Sequence, residues 1–331
     1  MRINDFIKKS QDSGKFSKDE LLEMLGYPPD CSATYRLMAE AKHISKELTG
    51  NRAEIHAQFS LNLEPCACNC LFCSFAKTNE IFKQKSRMTQ EEAVASARQL
   101  EDEGANAVFI MTTAQYPFGK FIEIAQEVKK NLKPETTLIA NVADQSLSNA
   151  IKIKDAGFDG VYHALRLREG IDTAIDPERR KESIRNFQEA GLKVGTCIEP
   201  VGPEHSNEEI AELILYTATL NPAYSGAARR ISIPGTDLAK KGMISELRMS
   251  QIVAVTRLAM PETVLGNCTH EPCTLGAAAG ANLFWAEIGA NPRDTAKKTE
   301  KGRGHTIAQC HILFQESGCG VLEGTSRFYA V

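Results

Sequence analysis

Over residues 4 to 50, apolar and charged positions alternate at helical spacing, broken by Gly26 and the Pro28-Pro29 pair. The pattern predicts two or three helices packed outside the main domain, with a turn at the break. The period then changes. IHAQFSLNL, from Ile55 to Leu63, alternates as a strand does, and beyond it helix and strand take turns. Thr89, with Glu92 three residues on, forms a capping box before a helix that passes through Gly104 into NAVFIMTT, ending at Thr113. Helices over 121–132, 147–156 and 177–190 precede TTLIANV, FDGVYHA and LKVGTCIEP. EDEGANAVFI, KDAGFDGVYH and QEAGLKVGTC each place a glycine where the helix must stop and the chain reverse.

The rhythm continues to the carboxyl-terminal part. A helix over 208–220 leads to ARRISIP, one over 246–259 to TVLGN, and a last unit runs from Leu275 to AGANLFWAE. About eight strands separated by helices describe a parallel (β/α) barrel in an α/β protein, either of the complete TIM type or a partial six-stranded form with flanking units. The expected organisation is an N-terminal helical extension over 1–50, the barrel over 51–290, and a C-terminal loop and helical tail over 291–331 that closes the barrel. In such barrels the active site lies at the carboxyl ends of the strands, so the residues just after each strand matter most.

Composition narrows the function classes. A chain of 331 residues with 42% hydrophobic and 24% charged residues has ample core for one large domain and is not a disordered chain. Its formal net charge of −3 lacks the basic excess that drives binding to nucleic acid or an anionic membrane, so the expected partner is a small molecule or a protein. The polar start MRINDFIKKSQDSGKFSKDE does not resemble a signal peptide, and no stretch reaches the ~18 apolar residues of a membrane span. A cytoplasmic location is therefore expected. There the ten cysteines point to metal ligation or redox chemistry, since cytosolic thiols stay reduced.

Four of those cysteines fall within eight residues, in EPCACNCLFCSFAK just after the first strand. Cys66, Cys70 and Cys73 have the spacing C-x3-C-x2-C, which lets three thiolates hold three corners of a 4Fe-4S cube and leaves the fourth iron open. Zinc is the rival, with Cys68 as a fourth ligand, although closed structural zinc sites usually pair their cysteines at two separated places. The spacing, the position after the first strand and the aromatic Phe72 before the last cysteine resemble the radical S-adenosylmethionine superfamily. The resemblance implies that Cys66, Cys70 and Cys73 bind the cluster while S-adenosylmethionine chelates the fourth iron. It further implies reductive cleavage to a 5'-deoxyadenosyl radical that abstracts hydrogen from an unactivated carbon, a low-potential electron donor of flavodoxin or ferredoxin type, and oxygen sensitivity. Cys68 is out of the family's register and is taken as a bystander.

RLAMPETVLGN, AAAGANLFWAE and ISIPGTDLA resemble the biotin-synthase-like branch of that superfamily, which includes biotin synthase, the hydrogenase maturase that supplies the diiron cofactor, and methylornithine synthase. By this resemblance Arg180 meets the carboxylate of S-adenosylmethionine, Thr112 and Thr113 meet its amino group, and His163 and Arg166 contact ribose or substrate. The alternatives are a solvated helix arginine and ordinary strand residues. The branch's usual carboxylate or amide is not evident after the fourth strand. Biotin synthase's second cluster uses cysteines at strand ends where this sequence has Thr112 or Thr113 and Asn141, while Cys197 is displaced by two residues along its strand and keeps the same face. NCTHEPC gathers Cys268, His270, Glu271 and Cys273, suited either to a second iron-sulfur cluster or other metal, which Cys31 and Cys197 would complete, or to two buried cysteines and a satisfied histidine. Cys310 and Cys319 suit apolar packing. GTSRFYAV resembles the terminus of lipoyl synthases, and the charged GANPRDTAKKTEKGRGH, with Arg293 and Asp294, is a lid or a solvated loop; as a lid it would turn Glu287, Asn291 and Arg293 to the substrate.

The expected function is therefore hydrogen abstraction in cofactor biosynthesis, foremost sulfur insertion of the lipoyl or biotin type on a small or carrier-protein-bound substrate. Radical rearrangement or cleavage of a small substrate is the alternative within the family. Outside enzymology, a non-catalytic iron-sulfur or zinc protein would fit.

Overall fold

The structure, a computed structural model, describes residues 2–12, 15–81, 85–287 and 305–330. Three helices come first: α1 (Ile3–Gln11), α2 (Lys18–Gly26) and α3 (Ser32–Thr49). Ser17 and Glu20 close a capping box on α2, and Gly50, in the left-handed region at φ 61°, ends α3. The chain then enters β1 (Arg52–Ser60), buried from Ala53 onward. Ile55, Ala57 and Phe59 face the helices, while His56 lies against the aromatic interior, the alternation a barrel strand requires. A short hairpin, β2 (Asn62–Leu63) with β3 (Ser86–Arg87), follows and brackets the cysteine loop.

The alternating units are α4 (Gln90–Asp102), β4 (Ala107–Met111), α5 (Phe118–Asn131), β5 (Thr137–Asn141), α6 (Leu147–Asp155), β6 (Gly160–Tyr162), α7 (Pro177–Glu189), β7 (Lys193–Gly195), β8 (Ile198–Val201) and α8 (Asn207–Thr219). They continue as β9 (Tyr224–Arg229), α9 (Glu246–Ala259), β10 (Gly266–Cys268), α10 (Thr274–Ala278) and β11 (Leu283–Glu287). The capping box on α4 is the one the sequence predicts, Thr89 with Glu92. All barrel pairings are parallel, in the order β7-β6-β5-β4-β1-β11-β10-β9-β8. β7 and β8 are two pieces of one strand position, interrupted at Thr196 and Cys197. Ala223 N–H donates to Val194 O at 2.8 Å and Thr196 N–H to Tyr224 O at 3.2 Å, so the sheet returns on itself as a (β/α) barrel.

Two strands differ from expectation. β9 starts at Tyr224 and ends at Arg229, ahead of most of ARRISIP, and β10 runs to Cys268, past the end of TVLGN. Their meeting point explains both shifts. Gly226 sits at φ 129°, and a Cβ there would lie 2.1 Å from Cys268 O, so the strands approach backbone to backbone without the side-chain alternation that marks a strand.

The ends of the chain are part of this body. α3 packs on α9, whose residues 249–258 are all buried. α11 (Ile307–Glu316) leads to β12 (Gly320–Val321), which pairs with the start of β1. The final residues then cross the end of the barrel where the strands begin. Ser326 Oγ donates to the buried Glu54 carboxylate, Arg327 N–H donates to Glu54 Oε1 at 2.8 Å, and Asn106 Nδ2 donates to Leu322 O and Gly324 O. Phe328 and Tyr329 fill the interior beside Phe109, Tyr224 and Trp285. Residues 324–330 of GTSRFYAV thus form a plug at the opposite end from the cysteine loop, so the likeness to a lipoyl-synthase terminus does not place them at a site of chemistry. Among the described residues no helix is long and apolar enough to cross a membrane.

Candidate functional site

The cysteine loop is closed by its own backbone. Cys66 N–H donates to Phe75 O at 2.6 Å and Lys77 N–H to Cys66 O at 3.0 Å, while Cys73 N–H donates to Cys70 O at 2.9 Å in a tight turn. Cys66, Cys68, Cys70 and Cys73 are all half-buried thiols on the wall of a cavity of about 190 Å³. A hydrogen bond from Cys68 brings the Cys66 thiol down to about 6, against its burial and with help from the Arg166 charge. The same bond pushes the Cys68 thiol up, and burial pushes Cys70 up to about 12. Three thiols on one wall, with the Arg166 and Arg180 guanidinium groups bordering the same cavity, match the charge and donor type of a 4Fe-4S cluster. Cys68 serves the loop through its backbone, its carbonyl accepting from Ala174 N–H at 2.7 Å.

The facing wall comes from the carboxyl ends of the next strands. Thr112, Thr113, Asn141, His163 and Arg180 all border the cavity, as does Phe72. The two threonines differ in role. Thr113 Oγ1 accepts from Asn62 Nδ2 at 2.7 Å, and Asn62 in turn donates to Glu64, the partner of Arg87, so this hydroxyl ties β4 to the hairpin. Thr112 binds back through its amide to Asn141 O, at 3.0 Å.

Arg180 is set on the first turn of α7, which Asp176 caps and Pro177 opens. It is 5% exposed, which removes the solvated-helix alternative. Its Nη1 stands 3.3 Å from His163 Nδ1 and 3.2 Å from His163 Nε2, its Nε stands 2.9 Å from Asp144 Oδ1, and His163 Nε2 lies 3.0 Å from that same oxygen. Burial and the Arg180 charge push His163 down to about 3, so the ring is neutral. Burial would raise Asp144, yet the His163 hydrogen bond and the Arg180 charge hold it below the usual carboxylate range. Asp144, which the sequence did not single out, is thus the hub of this wall. Carboxylates approach this wall from three places: Asp144 follows β5, Glu169 follows β6, and Glu199 lies on β8, where Arg166 Nε is 3.5 Å from Glu199 Oε1.

A second cavity of about 220 Å³ adjoins the first, sharing Phe72, Cys73, Met111, Asn141, Tyr162 and Arg166. Its own wall adds Gln58, Glu199, Arg229, His270, Glu271 and Glu287. The polar groups are matched in pairs: Asn141 Nδ2 donates to Gln58 Oε1 at 2.7 Å, Arg229 pairs with Glu271, and His270 Nε2 lies 2.9 Å from Glu287 Oε1. Glu287 is thus on the cavity wall, while Asn291, Arg293 and Asp294 lie outside the described residues.

The NCTHEPC segment is divided among three places. His270 and Glu271 enter the second cavity, but Cys268 is sealed in the barrel interior with its sulfur 3.5 Å from Cys197 Sγ. Cys273 instead caps α10, accepting from Gly276 N–H at 3.2 Å. Cys31 is at the start of α3 beside Thr34. The expected second-cluster ligands Cys268 and Cys273 are therefore not gathered, because the turn at Cys273 points its sulfur back to its own helix. Cys310 and Cys319 are buried, as expected.

One other set of ligand-type groups, Asp172, Glu204 and His205, lies within 4.8 Å of one another. His205 Nδ1 accepts from Gly202 N–H at 2.9 Å, which leaves the ring proton on the nitrogen that a metal would need.

Residues 65–216 match the family model described as the radical SAM superfamily. A biotin synthase of Prochlorococcus marinus (strain MIT 9515) is 27% identical over 274 residues, 77% of this chain and 79% of that one. A biotin synthase of Anaplasma marginale (strain Florida) is 25% identical, over 81% of this chain and 85% of its own. Among solved structures, methylornithine synthase aligns with a TM-score of 0.80 at 18% identity, over 96% of this chain and 97% of that chain. The FeFe-hydrogenase maturase from Carboxydothermus hydrogenoformans aligns with a TM-score of 0.77 at 18% identity, over 96% of this chain and 78% of that chain. At that identity the two structures speak for the fold.

Proposed function

We propose that the chain is a radical S-adenosylmethionine enzyme of the biotin-synthase-like branch, and that it uses a single cluster to abstract hydrogen from a small polar substrate in cofactor biosynthesis, and so to rearrange or cleave it. The observation that carries this reading is the pair of adjoining cavities: one is walled by the three thiols and Arg180, the other by matched polar pairs, and they share Phe72, Met111, Asn141 and Arg166.

Cys66, Cys70 and Cys73 would hold the 4Fe-4S cluster, and S-adenosylmethionine would lie in the first cavity. When bound and reduced, that pair supplies the hydrogen-abstracting 5'-deoxyadenosyl radical. The chain's own residues do the positioning. Arg180, fixed by Asp144 and His163, presents a buried cation to a carboxylate, and Thr112 offers a hydroxyl to the amino group beside it. Phe72 and Tyr162 form the apolar wall between the two spaces and exclude water. Gln58, Arg229, His270 and Glu287 orient the substrate. The reductant would be a flavodoxin or ferredoxin type of protein.

Sulfur insertion would require a second cluster as the sulfur source, and the separation of Cys268 from Cys273 speaks against it. The test is anaerobic purification and reconstitution, a count of iron and sulfide, and an assay for 5'-deoxyadenosine with reductant and S-adenosylmethionine. About four irons per chain with nucleoside formed, retained in Cys68→Ala and lost in Cys70→Ala, support the proposal. About eight irons, falling to about four in the Cys268→Ala/Cys273→Ala variant, would return the sulfur-insertion reading. Metal without cleavage would overturn both.

A further inference from the structure

At the end of the barrel where the strands begin, the N-terminal helices do not seat fully on α8 and α9. They leave a cavity of about 670 Å³, larger than either space at the barrel mouth. That volume is within the range of pockets that enclose small organic ligands, about 300–1,000 Å³. Phe16, Ile44, Leu48, Leu215 and Met260 give it apolar walls.

Arg257, on the last turn of α9, borders this cavity and is 1% exposed. Its Nη1 donates to Val264 O at 2.6 Å and its Nη2 to Pro261 O at 3.3 Å, both neutral carbonyls, and its Nε has no hydrogen-bond partner. Burial alone brings it down to about 10, with no carboxylate acting on it. The carboxylates that border the cavity are placed otherwise: Glu47 and Glu262 are exposed at the rim, and Glu40 accepts from Gln11 Nε2 at 2.9 Å. A buried cation whose partners are all neutral is costly, and an anion brought to it restores the balance. Apolar walls with one such cation fit a ligand that is apolar along its length and anionic at one end.

We propose that this cavity is a second ligand site, separate from the barrel mouth, which binds an amphipathic carboxylate with its head at Arg257 and its chain along Phe16, Ile44 and Leu215. The site does not depend on the chemistry proposed above, because no residue of the cysteine loop or the mouth borders it.

The probe is decanoate, with decanol as its uncharged counterpart, titrated calorimetrically into the reconstituted protein and followed by melting temperature. Decanoate should bind saturably and raise the melting temperature, and decanol should bind much more weakly. Arg257→Gln should weaken decanoate by about tenfold or more, the size of one lost charge-assisted hydrogen bond. Ala218→Trp, which puts an indole into the cavity from α8 without touching Arg257, should abolish binding while iron content stays at the wild-type level. It also serves as the test if Arg257→Gln does not fold. No saturable binding, decanol binding as tightly as decanoate, or wild-type affinity in either variant would overturn the proposal.

Discussion

At the residue scale, the site divides into what adjacency in sequence reveals and what only folding assembles. Cys66, Cys70 and Cys73 are legible because a cluster needs three thiolates within a few residues, and Arg180 and Thr112 are legible through family likeness. Asp144, Gln58 and Glu199 carry no local signal: each stands alone in its segment and gains meaning from partners on other strands. The histidine at the hub allows a test by pH. His163 has an ordinary value of 6.5 and is brought down to about 3 in the folded chain, so between those values the unfolded chain binds a proton that the folded chain does not. Stability must therefore rise with pH across that window and level off above it. From about pH 7 to about pH 5 the wild type should lose on the order of 2 kcal/mol to this group, and His163→Gln should show a flatter profile in urea unfolding at the two values. Asp144 does not confuse the comparison, since its folded value lies below its ordinary 3.8 and both fall below the range from about pH 5 to about pH 7 over which the two proteins are compared. Equal slopes in the two proteins would mean that His163 takes up its proton when folded.

At the element scale, helices were more legible than strands. Capping residues announce helix starts in the sequence, and Thr89, Ser206 and Ser245 cap where helices begin. The three residues of β10 and the two each of β2 and β3 leave too few positions for a period, and Gly226 breaks the alternation of the six-residue β9, so these strands carry little signal in the sequence. The interruption between β7 and β8 was equally silent, because each half pairs with a different neighbour. The β9–β10 contact also separates two costs that glycines usually combine. Gly191 follows α7 at φ 76° with nothing within 4 Å of a added Cβ, so Gly191→Ala meets only the left-handed backbone and should cost about 1 kcal/mol. Gly226 has the unfavourable φ and the 2.1 Å clash with Cys268 O as well. Gly226→Ala should exceed about 3 kcal/mol or prevent folding, as measured by urea denaturation beside Gly191→Ala. Similar costs for the two would show that β10 can shift to make room.

At the scale of the whole molecule, the barrel's two ends have separate tasks. The mouth collects polar groups from several strands, and Phe72 and Tyr162 border both of its cavities. The far end is sealed by the chain's own tail, whose Phe328 and Tyr329 stand against His56 with ring centroids 6.0 Å away. The sequence led only to the expectation that a C-terminal segment closes the barrel and was silent on which end, because a tail of mixed composition fits either. The arrangement has a consequence for how damage at one end is felt at the other. Phe328→Ala removes a ring that is 3% exposed and should cost ~3–5 kcal/mol, the usual range for a large core aromatic. Among the described residues the tail hydrogen-bonds at Glu54 and Asn106, at the opposite end of the barrel from the thiol loop and Arg180, so the folded fraction should still take up a wild-type complement of iron. The melting temperature of Phe328→Ala should therefore fall while iron per folded chain is unchanged, with circular dichroism and iron analysis on the same sample as the check. Loss of iron in a chain that remains folded would mean that the plug sets the spacing of the strands at the mouth, and that the two ends are mechanically one.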